Sequence, residues 1–290
     1  MIPKDYQLTD QVAIVTGGGG GIGAGIALKL AEFGADVAVV DIVPERAEDI
    51  ASKVRALGRR ALAIAADCMD TEQVRAFVAH TEQELGRIDI LVNNAGGVSG
   101  RPFLEQSERS WRRHIDINLV SMLAAIHAAA PVMIKGGRGG AIINVTSIEG
   151  QRAAPYFAVY AACKAGMISF TRSMATELSA HGIRVNAIAP DHTVSPGTRG
   201  NLHGPVDEST WTPLPPEQQD AMNRLIPLGR EGHIDECGNA AVFLASQMSC
   251  YVTGTTLNVD GGTSAAMGWV RDRAGRWTLN QDLMLVDKPL

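Results

Sequence analysis

Thr16-Gly17-Gly18-Gly19-Gly20-Gly21-Ile22-Gly23 follows the apolar run 12–16 and opens the helically periodic stretch 21–33. A strand that runs into glycines and then into a helix brings an anion to a helix N-terminus. There, free N–H groups and the helix dipole favour negative charge. Glycine lets the chain turn sharply and lets a pyrophosphate approach the backbone. Five consecutive glycines leave two registers open: Gly17, Gly21 and Gly23 fit G-x-x-x-G-x-G, whereas Gly18, Gly20 and Gly23 fit G-x-G-x-x-G. A glycine run alone also describes a flexible loop, and its place between strand and helix is what argues against that.

Working outward, a second apolar run at 36–40 closes on Asp41, eighteen residues after Gly23. A carboxylate there accepts hydrogen bonds from the adenosine ribose and repels a 2′-phosphate. Neither the glycine loop nor Ile42 and Val43 offers a lysine or arginine to that phosphate. The pattern predicts NAD rather than NADP, although an aspartate in this place also suits a helix cap. The alternation continues. Pro44 opens a helix that ends near Gly58, followed by a strand at 61–66, a helix at 71–85, a strand at 88–92 and a long helix at 107–135. Next come a strand at 141–145, a second long helix at 155–181, a strand at 183–188, a helix at 234–246 and a strand at 256–259. Short, continuously apolar strands separated by helices mark a parallel sheet covered on both faces. The expected fold class is α/β, a doubly wound parallel sheet of the Rossmann type. No linker or repeat divides it, so one catalytic domain spans 1–262 and a C-terminal extension spans 263–290.

Composition narrows the function classes. Hydrophobic residues make up 46% and charged residues 20%, enough for a large core and for buried subunit contacts. With 26 basic and 31 acidic residues the net charge is −5, which argues against nonspecific nucleic-acid binding. Cys68, Cys163, Cys237 and Cys250 are scattered and no signal peptide begins at Met1, so a reducing cytoplasm is expected. The longest apolar stretches are interrupted well before about 18 residues, so no transmembrane helix or membrane partner is expected. The seven histidines show no metal spacing, and no metal is expected.

Tyr160 and Lys164 stand one helical turn apart, with Ser147 thirteen residues before the tyrosine. A phenol is a poor base at neutral pH, its ordinary pKa being about 10. A lysine at i+4 projects from the same helix face, and its charge favours the phenolate. Among Tyr6, Tyr156, Tyr160 and Tyr251, only Tyr160 has lysine at that distance. The pair is weak by itself, since both residues are common on amphipathic helices. In this setting it suggests alcohol dehydrogenation.

Together these motifs resemble the short-chain dehydrogenase/reductase family, from about Leu8 to Gly262, in the family's order. Thr16-Gly17-x-x-x-Gly21-Ile22-Gly23 matches its TGxxxGIG, which selects the first glycine register. Asn93-Asn94-Ala95-Gly96 matches NNAG, and Tyr160-Ala161-Ala162-Cys163-Lys164 matches YxxxK. Arg184-Val185-Asn186-Ala187 leads to Pro190, and Val259-Asp260-Gly261-Gly262 ends the last strand. The resemblance implies that Tyr160 exchanges a proton with the substrate and Ser147 holds the substrate oxygen. It implies that Lys164 lowers the phenol pKa and grips the nicotinamide ribose, and that Asn118 helps hold a relay water. It further implies cofactor contacts at Gly17, Gly21, Ile22, Gly23, Asp41, Asp67, Cys68, Asn94, Ala95, Gly96, Tyr160, Lys164, Pro190 and Ser195. The implied assembly is a homo-oligomer, a dimer or tetramer, paired through the two long helices.

Two departures stand out. Asp191 replaces the glycine that usually follows Pro190, and His192 falls where family side chains face the nicotinamide end. The segment 194–228 holds six prolines, three glycines and Trp211, and a loop of this length is commonly a functional lid. Val98, Phe103, Tyr156, Phe157 and Trp211 are expected to wall an apolar pocket, with Glu149 and Gln151 adding polar selectivity. A medium-sized hydrophobic secondary alcohol or ketone, alicyclic or steroid-like, is the expected substrate. Alternatives are a 3-oxoacyl thioester or sugar/polyol reductase, an epimerase or dehydratase that retains NAD, and a dinucleotide-binding protein without catalysis. The tail, with Trp269, Trp277 and the apolar patch 283–286, is expected to cover a neighbouring subunit, close the cleft, or form a loose end.

Overall fold

The computed structural model describes residues 4–201, 204–207, 209, 211 and 213–279. The first half of the chain folds as β1 (Val12–Thr16), α1 (Gly21–Glu32), β2 (Asp36–Asp41), α2 (Pro44–Ala56), β3 (Ala61–Ala65), α3 (Thr71–Leu85) and β4 (Ile90–Asn93). Then follow α4 (Glu108–Ile115), α5 (Ser121–Gly136), β5 (Gly140–Val145), α6 (Ala158–Glu177) and β6 (Ile183–Pro190). The last part contains α7 (Pro216–Leu225), α8 (Ile234–Ala245), β7 (Thr256–Val259), α9 (Thr263–Ala266), β8 (Val270–Arg271) and β9 (Trp277–Thr278). The seven-stranded sheet has the order β3-β2-β1-β4-β5-β6-β7, and every pairing in it is parallel. This is the Rossmann-type sheet expected from the sequence. The chain reverses direction across the sheet between β1 and β4, and the crevice outside the strand ends at such a point is where ligands bind.

Successive strand residues point to opposite faces, which splits the core in two. Val15, Val37 and Val39 pack with Ile26, Leu30 and Leu244 on one face. Ile14, Val40 and Leu91 pack with Phe77, Met122 and Met133 on the other.

Several elements depart from the sequence reading for identifiable reasons. The helix expected at 107–135 is interrupted by a π-helical turn, Asp116–Val120, between α4 and α5. Such turns widen a helix and are frequent at functional sites. Residues Glu108–Gly136 together are long and apolar enough to cross a membrane, contrary to the expectation that every apolar stretch breaks early. Met122, Ala125, Ile126, Ala129 and Met133 of this helix are buried in the core, which accounts for their apolarity. The helix expected from 155 starts at Ala158, because Tyr156 takes a left-handed turn conformation with φ 71. Inside the proline-rich loop lies α7, started by Pro216 at a position where proline fits a helix.

The described part of the extension docks against this loop. Arg271 donates to the Pro227 carbonyl at 3.2 Å and its guanidinium lies 5.1 Å from the Trp277 ring centre. Val270 and Thr278 are buried. The patch 283–286 lies outside the described residues.

Candidate functional site

The glycine loop adopts the register selected by the family motif. Gly17 and Gly21 have φ 61 and 55, conformations that favour glycine. A Cβ on Gly23 would collide with the Gly17 carbonyl and the Asn94 amide. Asn94 fixes this loop to β4, donating at 3.0 Å to the carbonyls of both Thr16 and Gly17. The main-chain N–H groups of Asn94 and Ala95 donate to the Thr16 hydroxyl, each at 3.0 Å. Gly23→Ala should therefore displace the loop at a cost of roughly 1–3 kcal/mol. NADH fluorescence titration should show tenfold or greater weakening, about 1.4 kcal/mol.

Asp41 at the end of β2 reaches back to the loop, accepting from Gly19 N–H and Val43 N–H at 3.0 Å each. Ser195 lies against Gly21, where its Cβ would be 3.3 Å from a side chain added at the glycine. Asp67 accepts from Met69 N–H at 2.9 Å just after β3, and Cys68 is buried beside it. Burial pushes the Cys68 thiol up to about 12, so it is an inert lining group. The loop, with its crowded glycines, and the carboxylate at the next strand end fit a dinucleotide.

Strand register places several polar side chains along the carboxyl edge of the sheet. Val145 pairs with Ile188, and Pro190 pairs with Val259. Ser147 lies two residues past the end of β5, level with Pro190, and Asp191 and Asp260 directly follow β6 and β7. Ser147 accepts from Glu149 N–H at 3.1 Å. Lys164 is buried, donates to the Val145 carbonyl at 2.9 Å, and puts Nζ 5.5 Å from the Tyr160 ring centre. Gly96 lies between Lys164 and Asn118, since a Cβ there would be 2.9 Å from Asn118 Oδ1 and 3.6 Å from Lys164 Nζ. The Asn118 amide donates to the carbonyls of Gly97 and His114 at 2.8 and 3.0 Å, and its oxygen accepts from Gly97 N–H at 3.2 Å. Asn93 serves the scaffold, in a chain from its amide to Asn144 and on to Thr171, at 2.8 Å per link.

A family model described as enoyl-(acyl carrier protein) reductase matches residues 17–264. A 3-oxoacyl-(acyl-carrier-protein) reductase of Staphylococcus aureus is 39% identical over 251 residues, 86% of this chain and 96% of the relative. The chain belongs to the short-chain dehydrogenase/reductase family. Another member, galactitol 2-dehydrogenase of Agrobacterium fabrum, is 40% identical over 260 residues, covering 88% of this chain and 98% of that protein. A solved 7α-hydroxysteroid dehydrogenase, in complex with NADH and 7-oxo glycochenodeoxycholic acid, superposes with a TM-score of 0.82 at 33% identity. The match covers 90% of this chain and 98% of that one. As a short-chain dehydrogenase/reductase the chain is an oxidoreductase of the nicotinamide dinucleotide type.

Electrostatics within this family site differ from the sequence expectation. Burial pushes the Tyr160 phenol above its ordinary value, a hydrogen bond with Ser147 opposes this, and the Glu149 charge adds to it. Lys164 does not bring the phenol down in the structure. Burial instead pulls Lys164 itself down to about 8, against a small opposing effect of Cys163.

The expected substrate residues divide. Gln151 donates to Asn258 at 2.7 Å, and Asn258 donates to Ser264 at 2.8 Å. His192 lines a cleft of about 420 Å³ with Ile226, Leu228, Asn258 and Asp260. Glu149 pairs with Arg152 at 2.6 Å. Trp211 is not part of that cleft. It lines a cavity of about 530 Å³ with Arg199, Pro213, Leu214, Pro216 and Gln219. Phe157 packs on Gly100, while Val98, Phe103 and Tyr156 are left more than half exposed.

Three participants are not among the residues singled out from the sequence. Arg152 pairs with Glu149, three residues before it, and Asn258 meets Gln151 across 107 residues. Arg46 lies across the glycine loop and donates to the Asn201 carbonyl at 2.9 Å and to that of Gly204. Only its closeness to Asp41 in sequence hinted at this.

Proposed function

We propose that this chain is an NAD-dependent dehydrogenase/reductase that interconverts a secondary alcohol and a ketone. The convergence of Ser147, Tyr160 and Lys164 beyond β5 carries this reading. Tyr160 takes the hydroxyl proton during oxidation and returns it to the carbonyl oxygen during reduction. Ser147 donates to the substrate oxygen and holds it beside the phenol. Lys164, anchored by the Val145 carbonyl, presents its ammonium to the phenolate and to the ribose hydroxyls. A nicotinamide bound there supplies the hydride acceptor or donor. Asn118 spends its side chain on Gly97 and His114. Its relay water therefore belongs with the main-chain carbonyls that a π turn takes out of the α-helical ladder.

Asp41 supports NAD over NADP, because its carboxylate repels a 2′-phosphate. The nearby Arg46 guanidinium is taken up by two main-chain carbonyls. Asp41→Asn should lower the NAD-over-NADP ratio of kcat/KM at least about tenfold, since like-charge contact costs several kcal/mol. Initial rates with both cofactors check this, and an unchanged ratio would remove Asp41 from cofactor choice.

A medium-sized, largely apolar alicyclic or steroid-like alcohol is the substrate this reading favours. Exposed Val98, Phe103 and Tyr156 support it, on two loops joined by Arg101 N–H donating to the Tyr156 carbonyl at 2.9 Å. The polar chain Gln151–Asn258–Ser264 favours a sugar or polyol as the second reading. A screen of NADH absorbance with alicyclic, steroid and polyol alcohols, run with NAD and NADP, separates them. If no alcohol reduces either cofactor, the dehydrogenase reading fails. Net NADH release excludes an epimerase or dehydratase that retains its cofactor. The enzyme is read as a cytoplasmic homotetramer paired through α4–α5 and α6, and a monomer in light scattering would contradict this.

A further inference from the structure

We propose that Asp191 determines substrate specificity by accepting a hydrogen bond from a donor on the carbon next to the one oxidised. The inference rests on the dehydrogenase reading above and names the substrate class of the same site. Asp191 follows Pro190, where Pro190 pairs with Val259 and Ile188 pairs with Val145. It therefore stands level with Asp260 and one residue past the level of Ser147, at the carboxyl edge of the sheet. Its side chain is only 7% exposed, yet Oδ2 is buried without a hydrogen-bond partner.

The surroundings do not satisfy that oxygen. His192 Nε2 is 3.8 Å from the other oxygen, Oδ1, beyond hydrogen-bond distance. Arg152 senses the Asp191 charge but is committed to Glu149 at 2.6 Å. Asp260 is engaged by Gly262 N–H at 2.9 Å and Ser264 N–H at 2.8 Å. Leaving a buried carboxylate oxygen unpaired is costly, so a site retains one where a ligand completes it. Glycine at this position has no such group. The chemistry that completes the carboxylate is a neutral or cationic donor, a hydroxyl or an ammonium. With Glu149, Asp191 and Asp260 against Arg152, a substrate carboxylate in the same place is repelled. The substrate class is then a vicinal diol or amino alcohol on an otherwise apolar frame.

The test compares cyclohexanol, the vicinal cyclohexanediol, the vicinal aminocyclohexanol and the corresponding ring hydroxy acid as substrates with NAD. Wild type and the variants Asp191→Gly and Asp191→Asn are assayed, with melting temperature as the folding control. For wild type, kcat/KM should be roughly tenfold or more higher for the diol and amino alcohol than for cyclohexanol. The hydroxy acid should be the poorest. In Asp191→Gly the diol-to-cyclohexanol ratio should fall to near one with NAD affinity unchanged, and Asp191→Asn should keep part of the diol preference but lose that for the amino alcohol. Equal use of diol and cyclohexanol by wild type overturns the proposal and leaves the dehydrogenase reading standing. A large loss of NAD affinity in both variants overturns it as well, because the free oxygen would then serve the cofactor. No NAD reduction with any of the alcohols defeats the dehydrogenase reading itself.

Discussion

Tyr160→Phe is expected to lower kcat for alcohol oxidation by roughly 10²–10⁴-fold, the range supplied by a positioned proton-transfer group. The ring is retained and only the hydroxyl is lost, so packing at the start of α6 and NAD affinity should change little. The pH profile makes the test sharper. Burial raises the phenol in the free protein, so the phenolate needed for oxidation becomes more populated as pH rises. Wild-type oxidation should therefore climb toward alkaline pH. Ketone reduction uses the protonated phenol and should decline over the same range. Both limbs should disappear in Tyr160→Phe. Steady-state rates in both directions, with NAD binding measured by protein fluorescence, provide the check. Near wild-type turnover in the variant would sink the assignment of Tyr160.

What the sequence reveals about this site depends on the range of the interaction. Strands β1 to β7 and most helices follow from local periodicity and glycine stops, and so they are legible. The glycine register is ambiguous in letters alone, and backbone geometry at Gly17 and Gly21 agrees with the family motif. The π turn at Asn118 is invisible to a helical pattern. Asn118 within it bonds to Gly97, on a loop that follows another strand. Gln151 and Asn258 meet across 107 residues, and Arg46 and Gly204 across 158, distances over which no local pattern operates. Trp211 was expected in the pocket because aromatic residues wall pockets. The path of the proline-rich loop carries it instead to the side of Arg199 and α7. Asp191 is visible as a departure from the family, but its unpaired oxygen emerges only when the ends of β5, β6 and β7 align.

Lys164→Met is the second change with a large expected effect, and it acts on activity and stability in opposite directions. Activity should fall by roughly 10²-fold or more, as when a positioned electrostatic group is removed from a reacting centre. Stability should move with pH in a defined sense. The folded-state value is depressed to about 8, whereas an exposed lysine titrates near 10.5. Below pH 8 both states carry the proton, and the folded state bears the full cost of a buried ammonium. Between the two values the unfolded chain binds more protons than the folded one, so wild-type stability gains with rising pH. A displacement of that size corresponds to about 3 kcal/mol. Methionine has no such titration. The loss of the hydrogen bond to Val145 and any change in packing are independent of pH and cancel in the comparison. Urea unfolding of both proteins at pH 7 and pH 10 should therefore show the wild type gaining on the variant by most of that amount. Parallel stabilities at the two pH values would mean that Lys164 keeps its ordinary ionisation in the free protein. The same measurement bears on mechanism. A lysine that sheds its proton near pH 8 grips the ribose most firmly while charged. NAD affinity should accordingly weaken above pH 8 while kcat at saturating NAD still climbs with the phenolate, and this weakening should be missing in Lys164→Met.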